Sequence, residues 1–231
     1  MKKLLFCAAM MLLSGLQALP VNAAAAAQPF VRWSVYSAAA GNENALRAAV
    51  AALNTALQNS EGVLAVYGGE DENGVMRYLE IYTDENAFNA AQNNANAKTA
   101  AAQALKLAQV HKTLAADAFN LQSKTTGTAD KARMALLVID PAQLDAYKKV
   151  LAKEMQSAVT NEEGVLALLA TTEAARPNVF HLLELYADDT AYRIDGPYFQ
   201  EYNKAVQTMV TDKVLIVNKP QAVTLSGKNL K

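Results

Sequence analysis

Two short runs of alternating side chains concentrate the chemistry of this chain. Tyr78, Glu80 and Tyr82 fall on one face of a strand, and Leu182, Glu184 and Tyr186 fall on one face of another. A carboxylate held among aromatic side chains loses hydration, so its pKa rises and it can serve as a general base. The same carboxylate can instead pair with a nearby basic group or helix start and simply fix its hairpin. His181 lies in the second run, where an imidazole can exchange protons near neutral pH or be a hydrogen-bonded structural residue. Arg77 occupies the matching place in the first run, so the two runs are not equivalent. The expected catalytic group is therefore His181, Glu184 and Tyr186. The residues expected around a substrate are Trp33, Tyr78, Glu80, Tyr82, Arg193 and Tyr198. Together with Tyr36, Tyr67 and Tyr202, Trp33 and Tyr198 can line a cavity between sheet and helices, or serve as core. Arg193 can hold an anionic group or lie on a solvated helix face.

Other chemistries find no support. Only two histidines, His111 and His181, occur, and they are seventy positions apart, so no metal-ligand spacing exists. Asp71-Glu72-Asn73-Gly74 reads as a turn rather than a cation loop. A glycine-rich phosphate loop, a nucleophile elbow and a dinucleotide fingerprint are all missing from the sequence. The net charge is −1, and the lysines and arginines are dispersed, which disfavours nucleic acid as a partner. With Lys2 and Lys3 removed, 19 of the 21 basic residues remain against 22 acidic ones.

That removal is expected. Lys2 and Lys3 precede an apolar run from Leu4 to Leu19, and Val21-Asn22-Ala23 follows with small residues at the positions a signal peptidase reads. Residues 1–23 are read as a secretory signal peptide, which directs the protein out of the cytoplasm, to the periplasm; a retained membrane anchor is the rival reading. Cys7 would leave with it, so stability must come from burial, which a chain 52% hydrophobic can supply. Beyond residue 30, no segment is long and apolar enough to cross a membrane.

The elements that must position these residues occur twice. Glu61-Gly62-Val63-Leu64-Ala65 recurs as Glu163-Gly164-Val165-Leu166-Ala167, and Glu80-Ile81-Tyr82-Thr83-Asp84 is echoed by Glu184-Leu185-Tyr186-Ala187-Asp188. The echoes are offset by 102 and 104 positions, which defines a tandem duplication of a module of ordinary domain size. Module one is assigned to residues 28–123 and module two to 132–225, with the polar stretch between as linker. In module one, Val31, Trp33 and Val35 alternate as a strand. Leu46, Val50, Leu53 and Leu57 make one helical stripe. Asn73-Gly74 marks a hairpin, and an Ala/Asn/Gln-rich helix follows to about Val110. Leu144, Tyr147, Leu151 and Met155 make the equivalent stripe in module two, and Asp195-Gly196-Pro197 starts its last helix. Each module reads β-α-β-β-α-β, giving an α+β fold with a ferredoxin-like four-stranded sheet covered by helices on one face. The bare faces can cover each other, which predicts two sheets packed as a pseudo-dimeric α+β barrel. The module-one helix lacks the large apolar side chains of its counterpart, so the working pocket is expected in module two.

The patterns Tyr78-Leu79-Glu80-Ile81-Tyr82-Thr83-Asp84 and Leu182-Leu183-Glu184-Leu185-Tyr186-Ala187-Asp188 resemble the antibiotic biosynthesis monooxygenase family, which includes quinol monooxygenases. The segment Ala191 to Phe199 resembles that family's helix, although Arg193 and Asn89 stand where many members carry a histidine. The resemblance implies a cofactor-independent monooxygenase acting on a small aromatic or quinol-like compound, with no metal or flavin. It also implies a dimeric barrel; here the duplication builds one within a single chain without forbidding a homodimer. Two other functions fit the same barrel: a non-catalytic protein that binds a small apolar ligand, and a protein-interaction module.

Overall fold

The computed structural model describes residues 28–230. The expected signal peptide at 1–23 lies outside them. Module one comprises β1 (Phe30–Ala38), α1 (Glu43–Gln58), β2 (Val63–Glu70), β3 (Met76–Tyr82), α2 (Glu85–Asn93), α3 (Ala95–Leu107) and β4 (Ala108–Ser123). A short strand, β5 (Thr128–Ala129), leads into module two. That module has β6 (Lys131–Ile139), α4 (Leu144–Asn161), β7 (Val165–Glu173), β8 (Arg176–Tyr186), α5 (Pro197–Val206), β9 (Val210–Val217) and β10 (Val223–Thr224).

The eight long strands form one sheet in the order β2-β3-β1-β4-β7-β8-β6-β9. It is continuous because β4 runs for 16 residues: its first half pairs with β1, and the half from Ala116 to Ser123 pairs antiparallel with β7. The sheet curls so that its two halves face each other. Val31, Trp33, Tyr67, Leu79, Ile81 and Leu121 of module one pack in one buried core with Met134, Leu169, Leu183 and Leu185 of module two. Two further cores lie between each half-sheet and its own helices. Side-chain alternation along the strands makes this division, since odd-numbered residues of β1, β3 and β8 face the barrel and even-numbered ones face the helices.

The pseudo-twofold arrangement breaks at the second seam. There β9 ends at Val217, and Asn218-Lys219-Pro220 follows, where proline removes a ladder donor. A single bridge, Asp71 with Asn218, and a hydrogen bond from Lys219 N to Glu70 O (2.7 Å) join β9 to β2. The tail then crosses to module one. Val223 and Thr224 pair with the former linker at β5, while Leu225 and Leu230 enter the barrel core, and Ser226 N donates to Tyr67 Oη at 2.7 Å.

The sequence echoes meet in space. Gly62 O accepts from Thr83 N and Gly164 O accepts from Ala187 N, both at 2.8 Å. A Cβ on Gly62 would lie 2.4 Å from Ala87 Cβ, and one on Gly164 would lie 2.3 Å from Ala191 Cβ. Both aspartates of the echo then cap the turn that sits on the glycine: Asp84 Oδ1 accepts from Ala87 N at 2.8 Å and Asp188 Oδ1 from Ala191 N at 2.9 Å. One close-packed corner therefore explains both repeated motifs.

One element differs from expectation. The alanine-rich segment is two helices, broken where Asn94 leaves the helical region and caps α3 through Asn96 N and Ala97 N. In module two β7 and β8 are longer than β2 and β3 and meet at a turn at Ala174-Ala175, with Arg176 clamped to Glu173 at 2.6 and 2.9 Å.

Candidate functional site

Each half-sheet carries the same tetrad on its helical face. In module one Arg32 and Glu80 are cross-strand partners, and Arg32 Nε lies 2.7 Å from Glu80 Oε2. Tyr82 Oη donates to the same carboxylate at 2.5 Å, as does Ser34 Oγ. The Arg32 guanidinium stacks 4.7 Å from the centre of the Phe88 ring. In module two Arg133 and Glu184 are cross-strand partners, Arg133 Nε lies 2.9 Å from Glu184 Oε2, and Tyr186 Oη donates to Glu184 at 2.8 Å. Arg133 lies 4.5 Å from the centre of the Tyr192 ring and donates to its hydroxyl. Burial and then the neighbouring carboxylate push both Tyr82 and Tyr186 well above the ordinary phenol range, so both remain hydroxyl donors. The basic partners Arg32 and Arg133 had no place among the expected site residues. Their signal was available: each sits on a first strand, in phase with the glutamate opposite.

What surrounds the tetrads differs. A cavity of about 680 Å³ opens on the helical face of module two, between β6, β8, α4 and α5. Its walls include Ala135, Leu137 and Leu182, and its polar floor Arg133, Glu184 and Tyr186. At the equivalent strand positions module one has Ser34, Tyr36 and Tyr78, all buried. Larger side chains thus occupy in one half the space left open in the other. Module two also lacks a counterpart of α2: residues 187–196 form turns, and Tyr192 and Ile194 rim the cavity there.

Glu154 on α4 was not foreseen. It lines this cavity, and burial followed by the Glu184 charge raises its pKa to about 8. It follows Tyr147 by seven residues, and so lies within the apolar stripe of α4, where a carboxylate is out of pattern.

The expected residues do not all converge. Glu184 and Tyr186 meet at the cavity floor, but His181 points to the opposite face of β8. It pairs with Glu173 (Nε2 to Oε1, 3.0 Å) and lies 5.8 Å, ring to ring, from Trp33. Burial alone would raise the Glu173 pKa, but hydrogen bonds from Arg176 and His181 outweigh it and lower it. Trp33 is likewise inside the barrel, donating to Thr171 Oγ1 at 2.9 Å. The period of two along a strand separates both from the helical face. Tyr78, Glu80 and Tyr82 stay together in module one's own core, away from the large cavity. Tyr198 borders a smaller cleft of about 240 Å³ between α4 and α5. Arg193 is exposed and pairs with exposed Asp195 at 3.2 Å, so it belongs to the solvated surface. Among the described residues no group of three or more potential ligands is arranged to hold a metal, and no helix is long and apolar enough to cross a membrane.

Residues 29–103 match the family model for antibiotic biosynthesis monooxygenase, and module one is a domain of that family. The whole chain is similar in fold to a proposed monooxygenase from Lactobacillus acidophilus NCFM (TM-score 0.74, 19% identity, 86% of this chain and 99% of that one). It is equally similar to another from Fusobacterium nucleatum (TM-score 0.76, 20% identity, 86% and 93%). An anthrone oxidase-like protein is more distant (TM-score 0.54, 6% identity, 86% and 94%). No curated protein matches the chain.

Proposed function

We propose that the protein is a cofactor-independent monooxygenase that oxidises a small aromatic or quinol-like compound in the module-two cavity. The observation that carries this is the cavity itself: about 680 Å³, walled by aliphatic side chains and floored by a buried arginine–carboxylate–tyrosine group. That volume suits one small aromatic molecule, and the few convergent polar groups suit its hydroxyls. The overall change would be quinol plus O₂ giving hydroxyquinone plus water. The substrate supplies the electrons, and one oxygen atom enters the ring while the other leaves as water. Arg133, whose guanidinium has more N–H groups than Glu184 and Tyr192 engage, is the donor to an oxygen on the ring, and the aliphatic walls exclude water from the reactive anion. Export to the periplasm through residues 1–23 belongs to the same proposal. Cell fractionation, with and without those residues, tests it.

A second reading has its own support. Both oxygens of Glu184 are already engaged by Arg133 and Tyr186, as in a structural ion pair, which suits a non-catalytic binder of apolar ligands. Oxygen uptake distinguishes the two. The mature protein is screened by thermal shift against quinols and polyphenols, and each ligand is then offered in an oxygen electrode. Turnover above the autoxidation rate supports the monooxygenase; tight binding with no uptake leaves only the binder.

A further inference from the structure

Glu154, half-buried, differs from the buried carboxylates of the helical faces. Glu80 and Glu184 each have an arginine and a tyrosine, whereas Glu154 has no hydrogen bond or ion pair among the described residues. It stands 101 positions after Leu53, the same offset that relates Arg32 to Arg133, so module one has a buried leucine in its place. Its position is also singular. Glu154 and Tyr202 line both the inner cavity and the smaller cleft between α4 and α5. That cleft is lined by Lys149, Lys153 and Glu201, and Lys153 and Glu201 are exposed. A lone carboxylate thus separates a ligand-sized cavity from a cleft bordered by exposed charges.

We propose that Glu154 is the catalytic proton acceptor, taking a hydroxyl proton from the phenolic substrate in the inner cavity and returning it to water through the outer cleft. This rests on the monooxygenase reading of the same cavity. The step is a transfer of one proton from substrate oxygen to a Glu154 oxygen. The substrate anion keeps the electron pair and becomes the reductant of O₂. The groups facing Glu154 set its working range. Burial comes first, then Glu184 of β8 and Glu162 at the end of α4, all of which raise its pKa; Arg133 of β6 opposes them. Tyr147 of α4, Tyr186 of β8 and Tyr202 of α5 are held in their neutral forms by burial and by these carboxylates. A pKa of about 8 lies roughly two units below that of a phenolic hydroxyl, nearer than an ordinary carboxylate, so the transfer is only modestly uphill and readily reversed.

The test uses the mature protein and Glu154→Gln, which keeps the shape. With a quinol that the wild type turns over, kcat should rise with pH through about 8. The variant should lose about 100-fold or more in kcat and lose that rise, with quinol affinity within about threefold. The melting temperature of the variant checks that it folds. A second arm needs no turnover. The coloured phenolate of 4-nitrophenol should bind to the wild type at pH 7, where Glu154 is protonated, and its affinity should fall as pH rises through about 8 and Glu154 ionises, whereas its affinity for the variant should not fall. Equal kcat and equal pH profiles, or the same pH dependence of 4-nitrophenolate binding on both proteins, would overturn the role of Glu154 while leaving the monooxygenase reading intact. Failure of 4-nitrophenol and every quinol to bind overturns both.

Discussion

The two modules share a backbone and a tetrad but differ in what they leave empty. Arg32–Glu80–Tyr82–Phe88 and Arg133–Glu184–Tyr186–Tyr192 are superposable in register, pairing and cation–π stacking. Around the first, Tyr36 and Tyr78 fill the sheet surface and α2 covers it; around the second, Leu137 and Leu182 leave a cavity and α2 has no counterpart. The family's sequence signature resides in module one, yet the large cavity belongs to module two. Duplication explains this: once the tetrad ties the two inner strands of each half-sheet, one copy can become solid while the other keeps the opening. The tetrad is thus a structural feature common to both halves, and the chemistry must be sought in what module two has alone.

The strongest way to break that view is to remove each arginine. Glu80 is almost fully buried, so Arg32→Ala leaves a buried carboxylate without its counter-charge, and about 3–5 kcal/mol of stability should be lost. Glu184 borders a cavity that water can enter, so Arg133→Ala should cost about half as much. Urea unfolding measures both. Equal losses would mean that the cavity gives Glu184 no relief and that the two sites are energetically alike.

Exchanging the filling residues sharpens the comparison. Leu137→Tyr with Leu182→Tyr places module one's side chains in module two and should reduce quinol affinity at least tenfold, with little change in stability because space is available. Tyr78→Leu should cost about 2–3 kcal/mol by opening a void in module one. Calorimetric titration and melting curves give the two readouts. A double tyrosine variant that binds as the wild type does would place the ligand elsewhere.

Glu154 separates the modules by pH. Its folded-state pKa is raised above the unfolded carboxyl value, so the folded protein binds the extra proton between roughly pH 4.5 and 8. Stability should therefore be highest below that window and fall as pH rises through it, by about 2 kcal/mol after allowing for solvent in the cavity. Glu154→Leu, which installs the module-one residue, should abolish this fall and leave the protein more stable than wild type at pH 9 and nearly unchanged at pH 4.5. Parallel curves for wild type and variant would show that Glu154 stays ionised throughout.

Much of this was legible from residue order alone. The repeat, the β-α-β-β-α-β order and the paired faces of β3 and β8 follow from local periodicity and glycine or asparagine signals. Their shared corner at Gly62 and Gly164 even explains why those letters persist. The seam was not legible. That β4 continues into β7 while β9 stops depends on long-range pairing, and only Pro220 hints at the difference. Site membership was partly legible. Strand parity already sets His181 on the face opposite Glu184, and proximity in sequence obscured it. Glu154 was hidden because a carboxylate on a helix is usually solvated; its place in the Tyr147, Leu151, Met155 stripe was the available clue.

His181 provides the smallest and cleanest contrast. It faces the barrel, its ring nitrogen is bound to Glu173, and Glu173 is also held twice by Arg176. Removing the imidazole therefore strands no charge, because the carboxylate keeps its guanidinium. The expected cost of His181→Gln is about 1 kcal/mol, the net value of one partly exposed hydrogen bond. Since β8 places this side chain on the far side of the sheet from the cavity, kcat and its pH profile should not change. The single tryptophan, Trp33, stacks near the imidazole, so its fluorescence reports the substitution and confirms that the barrel core remains closed. A large fall in kcat with unaltered fluorescence would mean that the reaction runs inside the barrel, and would transfer the catalytic role from the helical face of module two to the interface between the modules.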